Sequence, residues 1–318
     1  MSGHAARRLV GGMALLAAFG LAASGLATML LSAPNPAVIG APPSDLAAQE
    51  VSFASRSGAT IHGWFVEGRA QHGAVLLLHG VHANRLAMLQ RARFLSAAGY
   101  AVLLIDFQAH GESIGRYITF GALESRDAQA AWTYLRQRAP GERVGVIGVS
   151  MGGAATVLAD PPLAADAFVL EQVYPTIDEA LDNRLRMYLG PLGTLAAPLL
   201  RVEMSWHLDL DPAVLRPIDR IGDLHAPVFV IGGDTDRHTT LAQTQALFAA
   251  AGEPKQLWIV PGAAHVDLQA RAGAEYERRV LAFLDAALQS GSAQDSGHAP
   301  VSQRPAELAQ IMYARAGG

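Results

Sequence analysis

The stretch VGVIGVSMGGAATVLAD, residues Val144–Asp160, places one hydroxyl between two glycines at the junction of an apolar run and an Ala-rich run. Val144, Val146, Ile147 and Val149 read as a short, fully buried strand, and Ala154 to Ala159 as the first turns of a helix. Ser150 therefore sits on a sharp strand-to-helix turn. A Cβ at Gly148 or Gly152 would meet the crossing backbone, so both flanking positions call for glycine. The pattern is G-x-S-x-G, the nucleophile elbow, and its strand-turn-helix setting separates it from a chance match or a phosphate-binding glycine turn. In that geometry Ser150 projects above the sheet. The N-terminus of the following helix then favours the negative charge that develops during attack, and the Met151 N–H is one donor to it.

Around this turn, strands and helices alternate. AVLLLHG (74–80) is a continuous apolar run of the kind found in buried parallel strands, and YAVLLID (100–106), AFVLEQV (167–173) and PVFVIGG (227–233) also read as strands. KQLWIV (255–260) is a further strand, and EVSFAS and IHGWFVEG read as an N-terminal hairpin turned at Ser57-Gly58. Helical patterns fall at 87–98, 121–139, 240–252 and 274–289, and Thr240 with Gln243 forms a capping box. This order predicts an α/β fold: a mostly parallel central sheet with helices on both faces and ligands at the carboxyl ends of the strands. The organisation expected is an N-terminal signal segment (1–33), a Pro-rich linker (34–49), one catalytic domain (50–289) with an insert at 174–226, and a mobile, polar tail (290–318).

Composition narrows the function. The 318 residues are 51% hydrophobic and carry a formal net charge of −4, without a basic run, so nucleic acid is not an expected partner. There is no cysteine, which removes disulfides, thiolate metal sites and a cysteine nucleophile together. Arg7 and Arg8 precede an uncharged stretch, Leu9 to Leu31, long enough to cross a bilayer and longer than an ordinary signal-peptide core. It reads first as a signal anchor with the following domain exported. The competing readings are a cleaved signal peptide, with Gly25 and Ala27 before the cut, and a buried cytoplasmic helix.

A serine hydroxyl needs a base, and the base needs a carboxylate to fix its tautomer. His265 follows the strand KQLWIV and a Pro-Gly turn, level with the elbow; Asp234 and Asp236 end the strand before it. The chain order Ser, Asp, His is that of an α/β-hydrolase. His79 and His82 have the spacing of a metal pair but lack a third ligand in the pattern, so no metal and no cofactor are expected. Asp106, His110 and Ser113 read as backbone-pinning groups, and Glu124 and Asp127 as carboxylates complementing a helix dipole.

From about Val51 to Gln289, the stretches LLLHGVHANR, AVLLIDFQAHGES, GVSMGG, VIGGDTD and GAAHVD occur in order, and the chain resembles an α/β-hydrolase of the serine aminopeptidase S33-like and dienelactone-hydrolase-like group. The resemblance implies a second oxyanion donor at the Val81 N–H, after His79-Gly80. It also implies the acid at Asp236, three residues past Gly233, leaving Asp234 as a turn former. It places a helical cap at the insert, where Leu185, Met187, Tyr188, Leu189, Leu192 and Leu195 are expected to line an apolar acyl pocket; packing on the sheet or contact with the membrane is the other reading. The function expected is hydrolysis of carboxylic esters, or of small amides and peptides, through an acyl-enzyme on Ser150, His265 and Asp236. An acyltransferase with the same triad and a non-catalytic binding protein on the same fold are the alternatives.

Overall fold

The computed structural model describes residues 3–289, so the polar tail expected at 290–318 lies outside the described residues. Eight strands form one sheet: β1 (Ala48–Ala54), β2 (Thr60–Val66), β3 (Ala74–Leu78), β4 (Ala101–Ile105), β5 (Val144–Val149), β6 (Ala167–Glu171), β7 (Val228–Gly233) and β8 (Lys255–Val260). Their spatial order is β8-β7-β6-β5-β3-β4-β2-β1; β2 is antiparallel to both neighbours, and all other pairs are parallel. β3 and β4, apolar throughout, and β6, apolar up to its terminal Glu171, are buried along their whole length, whereas β1 alternates along an edge. This is the difference expected between strands covered on both faces and a strand covered on one.

Alternate residues of each strand feed two cores. Leu76, Leu78, Val146 and Leu170 pack with α3 (Ala122–Arg138), α4 (Met151–Val157) and α7 (Leu241–Ala250). On the other face, Val75, Leu77, Ile147 and Val169 pack with α2 (Leu89–Ala98) and α9 (Ala274–Leu288), which is preceded by the short α8 (Leu268–Ala272). The insert between β6 and β7 carries α5 (Ile177–Leu189), α6 (Ala197–Leu208) and a series of 3-10 turns.

The N-terminal helix α1 (Gly3–Leu31) does not stand apart from the domain. Its small-residue stripe packs along α6: the open face of Gly20 meets Leu199, that of Gly25 meets Glu203, and Ser24 and Thr28 are buried. The Ser32 carbonyl then accepts the Ile118 N–H. The rest of the helix exposes Met13, Leu15, Phe19, Leu21, Leu26, Met29 and Leu30, which a buried core helix would not do.

The stretch read as a linker, 34–49, is bonded to the domain. Asn35–Pro36 pairs in parallel with His110–Gly111, the Ile39 and Gly40 N–H groups donate to Glu112, and Asp45 pairs with Arg93 at 2.7 Å. Its prolines suit such an extended path, because a chain without ladder partners on one side loses nothing by lacking N–H groups there.

Candidate active site

The elbow is built by close approach. Ser150 adopts φ +50° and ψ −113°, a conformation that costs about 1–3 kcal/mol for a non-glycine residue and is held by the surrounding backbone. The Ser150 N–H donates to the Glu171 carbonyl at 2.8 Å, tying the turn to β6. A Cβ on Gly148 would lie 2.6 Å from Gly153 Cα, and one on Gly152 would lie 2.6 Å from the His79 carbonyl oxygen. Both glycines are therefore required by the crossing chain.

Below the elbow lies an ionic cluster that the sequence pattern does not announce. Arg91 on α2 donates to both Glu171 carboxylate oxygens, at 3.1 and 2.8 Å, to Asp267 at 2.9 Å and to the Tyr276 hydroxyl at 2.9 Å, and that hydroxyl donates to Glu171. Arg91 and Glu171 are both buried, so each compensates the desolvation of the other. The cluster joins the end of β6 to the loop that carries His265.

The residues expected to do chemistry meet at the carboxyl edge of the sheet. His265 Nε2 lies 3.2 Å from Ser150 Oγ, and His265 Nδ1 lies 2.8 Å from Asp236 Oδ2. Asp236 is buried and fully bonded: Oδ1 accepts the His238 and Thr239 N–H groups at 2.7 and 2.9 Å, and Oδ2 accepts from Gln172 Nε2 at 3.2 Å. Gln172 also donates to the Ala264 carbonyl at 2.7 Å, so one amide positions both the acid and the histidine loop. Asp234 is exposed and accepts the Gly262 N–H at 2.6 Å, closing the turn before His265. No hydrogen bond among the described residues occupies the Val81 or Met151 N–H, and both residues line the same pocket as Ser150.

The neighbouring polar residues hold the loops. Burial, with the nearby His110 adding to it, pushes the His79 imidazole down to about 3. His79 Nε2 accepts the Phe107 N–H, so its Nδ1 donates to the Gly80 carbonyl at 2.7 Å and shapes the turn before Val81. His110 accepts the His82 N–H on Nε2 and donates from Nδ1 to the Gln108 carbonyl. Asp106 accepts the Arg85 and Glu112 N–H groups and pairs with the Arg85 guanidinium at 2.6 Å, while Ser113 donates to the Asp106 carbonyl.

Glu124 and Asp127 do more than meet a helix dipole, which corrects the reading from sequence. Both are buried; Glu124 accepts from Thr119, Gly121 and Gln108, and Asp127 accepts the Gln108 N–H at 2.9 Å, stapling the loop after β4. Burial pushes the Asp127 carboxyl up to about 7, against the Ser55 and Ser57 hydroxyls and the Gln108 N–H. The sequence signal for this role was the pair Glu124 and Asp127, three apart on one face of α3, following a loop that carries its own polar groups.

Two cavities meet at Ser150. A narrow one of about 40 Å³ is walled by Leu31, Val81, Phe120, Tyr174, Ile177 and Leu181, with Arg184 at its edge. An open cleft of about 340 Å³ lies on the other side, bounded by Gly80, Met88, Arg91, His238, His265 and Asp267, again with Arg184. The cap residues expected to line the acyl pocket do not. Tyr188, Leu189, Leu192 and Leu195 are between 62% and 77% exposed. The face of α5 turned to the site is Ile177, Ala180, Leu181 and Arg184, spaced three and four apart, and the later apolar residues lie past the last turn of that face. Leu31, the last residue of α1, is a pocket wall that sequence reasoning missed, because the packing of α1 on α6 places it there.

Comparison with known proteins points to the same fold. Residues 69–211 match the family model described as serine aminopeptidase, S33. Among relatives, the uncharacterized protein Rv2307c of Mycobacterium tuberculosis is 28% identical over 223 residues, covering 70% of this chain and 73% of that one. YqkD of Bacillus subtilis is 25% identical over 239 residues, covering 73% and 77%. The esterase Pf2001 of Pyrococcus furiosus superposes with a TM-score of 0.67 at 25% identity, covering 81% of this chain and 98% of that one.

Proposed function

We propose that this chain, an α/β-hydrolase with an S33-like stretch at residues 69–211, is a membrane-anchored serine esterase that works through Ser150, His265 and Asp236. The observation that carries the reading is the continuous relay from Asp236 Oδ2 through both nitrogens of His265 to Ser150 Oγ. Asp236 holds the His265 proton on Nδ1, which leaves the Nε2 lone pair facing the serine hydroxyl. His265 Nε2 takes the proton of the Ser150 hydroxyl as Oγ attacks the substrate carbonyl. The oxyanion is received by the Val81 N–H, in the loop after β3, and the Met151 N–H at the start of α4, and the leaving alcohol departs with the proton returned from His265. Water entering from the open cleft repeats the sequence and frees the acid.

The lining favours esters over peptides bearing a free amino terminus. An ammonium group is bound most strongly by an unpaired carboxylate. The acids among the described lining residues of the cleft are limited to Asp267, which is tied to Arg91, and the narrow cavity is lined by none. A fluorophosphonate probe is expected to label Ser150 and to leave the Ser150→Ala protein unmodified, read by mass spectrometry of tryptic peptides. Labelling that survives that substitution overturns the assignment.

Membrane attachment is supported by α1, whose Gly11–Leu31 segment is long and apolar enough to cross a bilayer. With Arg7 and Arg8 on the cytoplasmic side, the catalytic domain lies on the exported side. Leu192, Leu195, Val202 and Trp206 of the cap are exposed as well, and α6, which carries the last two, packs against α1. The full-length chain is expected to stay with membranes washed in alkaline carbonate. A shorter form beginning near Thr28 in the soluble fraction overturns the anchor and establishes a cleaved signal.

A further inference from the structure

Arg184 is an unneutralised cation in the active-site cleft. It lies on the face of α5 turned to Ser150 and borders both cavities that meet there. One of its five N–H groups is accounted for, by a hydrogen bond from Nη1 to the Ala180 carbonyl at 3.1 Å. No carboxylate forms an ion pair with it among the described residues, although the other lining cation, Arg91, has two. The groups that face it are Tyr174, Tyr188, Asp236, His82 and His238. Of these, Asp236 is the one carboxylate, and its oxygens are already shared among His265, Gln172 and two backbone N–H groups. His82 and His238 contribute no counter-charge: burial, and then the Arg184 charge itself, pulls both imidazoles below their ordinary values. Burial likewise pulls the Arg184 guanidinium down, with Tyr188 and Tyr174 opposing.

Arg184 is half-buried, and a guanidinium partly withdrawn from water without a carboxylate partner loses hydration that no pairing offsets. Its planar fork matches carboxylate and phosphate oxygens two at a time. We infer that Arg184 is the specificity-determining residue of this site and that the substrate is an anionic ester, carrying a carboxylate or phosphate within one side chain's reach of the scissile carbonyl. The substrate supplies the counter-charge that the protein omits. A neutral ester of the same size would leave the guanidinium desolvated and unpaired. The inference rests on the hydrolase reading, since it is the position of Ser150 that defines where the ester lies.

Two matched substrate pairs test it on the full chain, in detergent. In one pair the anion is on the acyl part, mono-4-nitrophenyl glutarate against 4-nitrophenyl valerate; in the other it is a phosphate on the alcohol part, butyryl glycerol 3-phosphate against monobutyrin. In at least one pair, kcat/KM is expected to favour the anionic ester by about 10–100-fold, the range for a hydrogen-bonded charge pair. The ratio falls towards unity in Arg184→Gln and is partly retained in Arg184→Lys. A purely structural arginine would lower both members of a pair together, leaving the ratio where it was. The pair that responds tells a carboxylate on the acyl group from a phosphate on the alcohol. If Ser150 takes the fluorophosphonate label but neither ratio moves on substitution of Arg184, this inference is overturned and the hydrolase reading stands. If Ser150 stays unlabelled and no ester is turned over, both fall together.

Discussion

Replacing His265 with alanine is expected to lower kcat for ester hydrolysis by about 10⁵–10⁶-fold, the scale on which a serine nucleophile loses its only base. The imidazole spans Ser150 Oγ and Asp236 Oδ2, at 3.2 and 2.8 Å, and alanine leaves the hydroxyl facing a void with no acceptor for its proton. Residual turnover then comes from the Val81 and Met151 N–H groups and from binding alone. The control is His82, whose main-chain N–H donates to His110 and whose φ of +55° asparagine tolerates. His82→Asn is expected to cost less than about tenfold, because its ring takes no part in the relay. Steady-state rates with a chromogenic ester check both. A comparable loss at the two positions would put the base in doubt and return attention to the His79 and His82 pair.

The two acids at the end of β7 separate by more than two orders of magnitude. Asp236→Asn is expected to lower kcat by about 10³–10⁴-fold with the thermal transition in place. The main-chain N–H groups of His238 and Thr239 require an acceptor at the Oδ1 position, so the asparagine oxygen settles there and its NH₂ takes the place of Oδ2. That NH₂ donates to His265 Nδ1 and drives the proton to Nε2, where it faces Ser150 and blocks base action. Asp234→Asn is expected to change kcat less than about tenfold, since asparagine keeps the oxygen that accepts the Gly262 N–H. If the larger loss appears at Asp234, the acid is misassigned while Ser150 and His265 stand.

The sheet and the relay residues were legible because each is set by local chemistry. Apolar runs of strand length mark β3, β4, β6 and β7, and G-x-S-x-G marks the elbow, since no other residues tolerate the approach of His79 and Gly153 to Gly152 and Gly148. The order of Ser150, Asp236 and His265 follows from strand ends that all face one edge. The choice between Asp234 and Asp236 needed the resemblance to known hydrolases in addition, because two carboxylates two residues apart look alike until the turn is drawn.

The cap and the N-terminal segment were decided by tertiary structure. An apolar residue in an insert can face a pocket, a neighbouring helix or the outside, and periodicity fixes the face only within one helix. Leu189, Leu192 and Leu195 therefore read as pocket lining and lie outside it. The Pro-rich stretch after α1 read as a tether, yet its hydrogen-bond partners at His110, Gly111 and Glu112 are some seventy residues away, beyond the reach of any local pattern. Separation in sequence also hid the Arg91, Glu171, Asp267 and Tyr276 cluster, and Leu31 and Arg184 at the mouth of the site. The sequence by itself determined the sheet, the elbow and the order of the relay, because backbone sterics and strand burial act over a few residues. Which charges are paired, which apolar residues face outward or into the pocket, and where a lone guanidinium is left without a carboxylate depend on segments that meet only once the chain has folded.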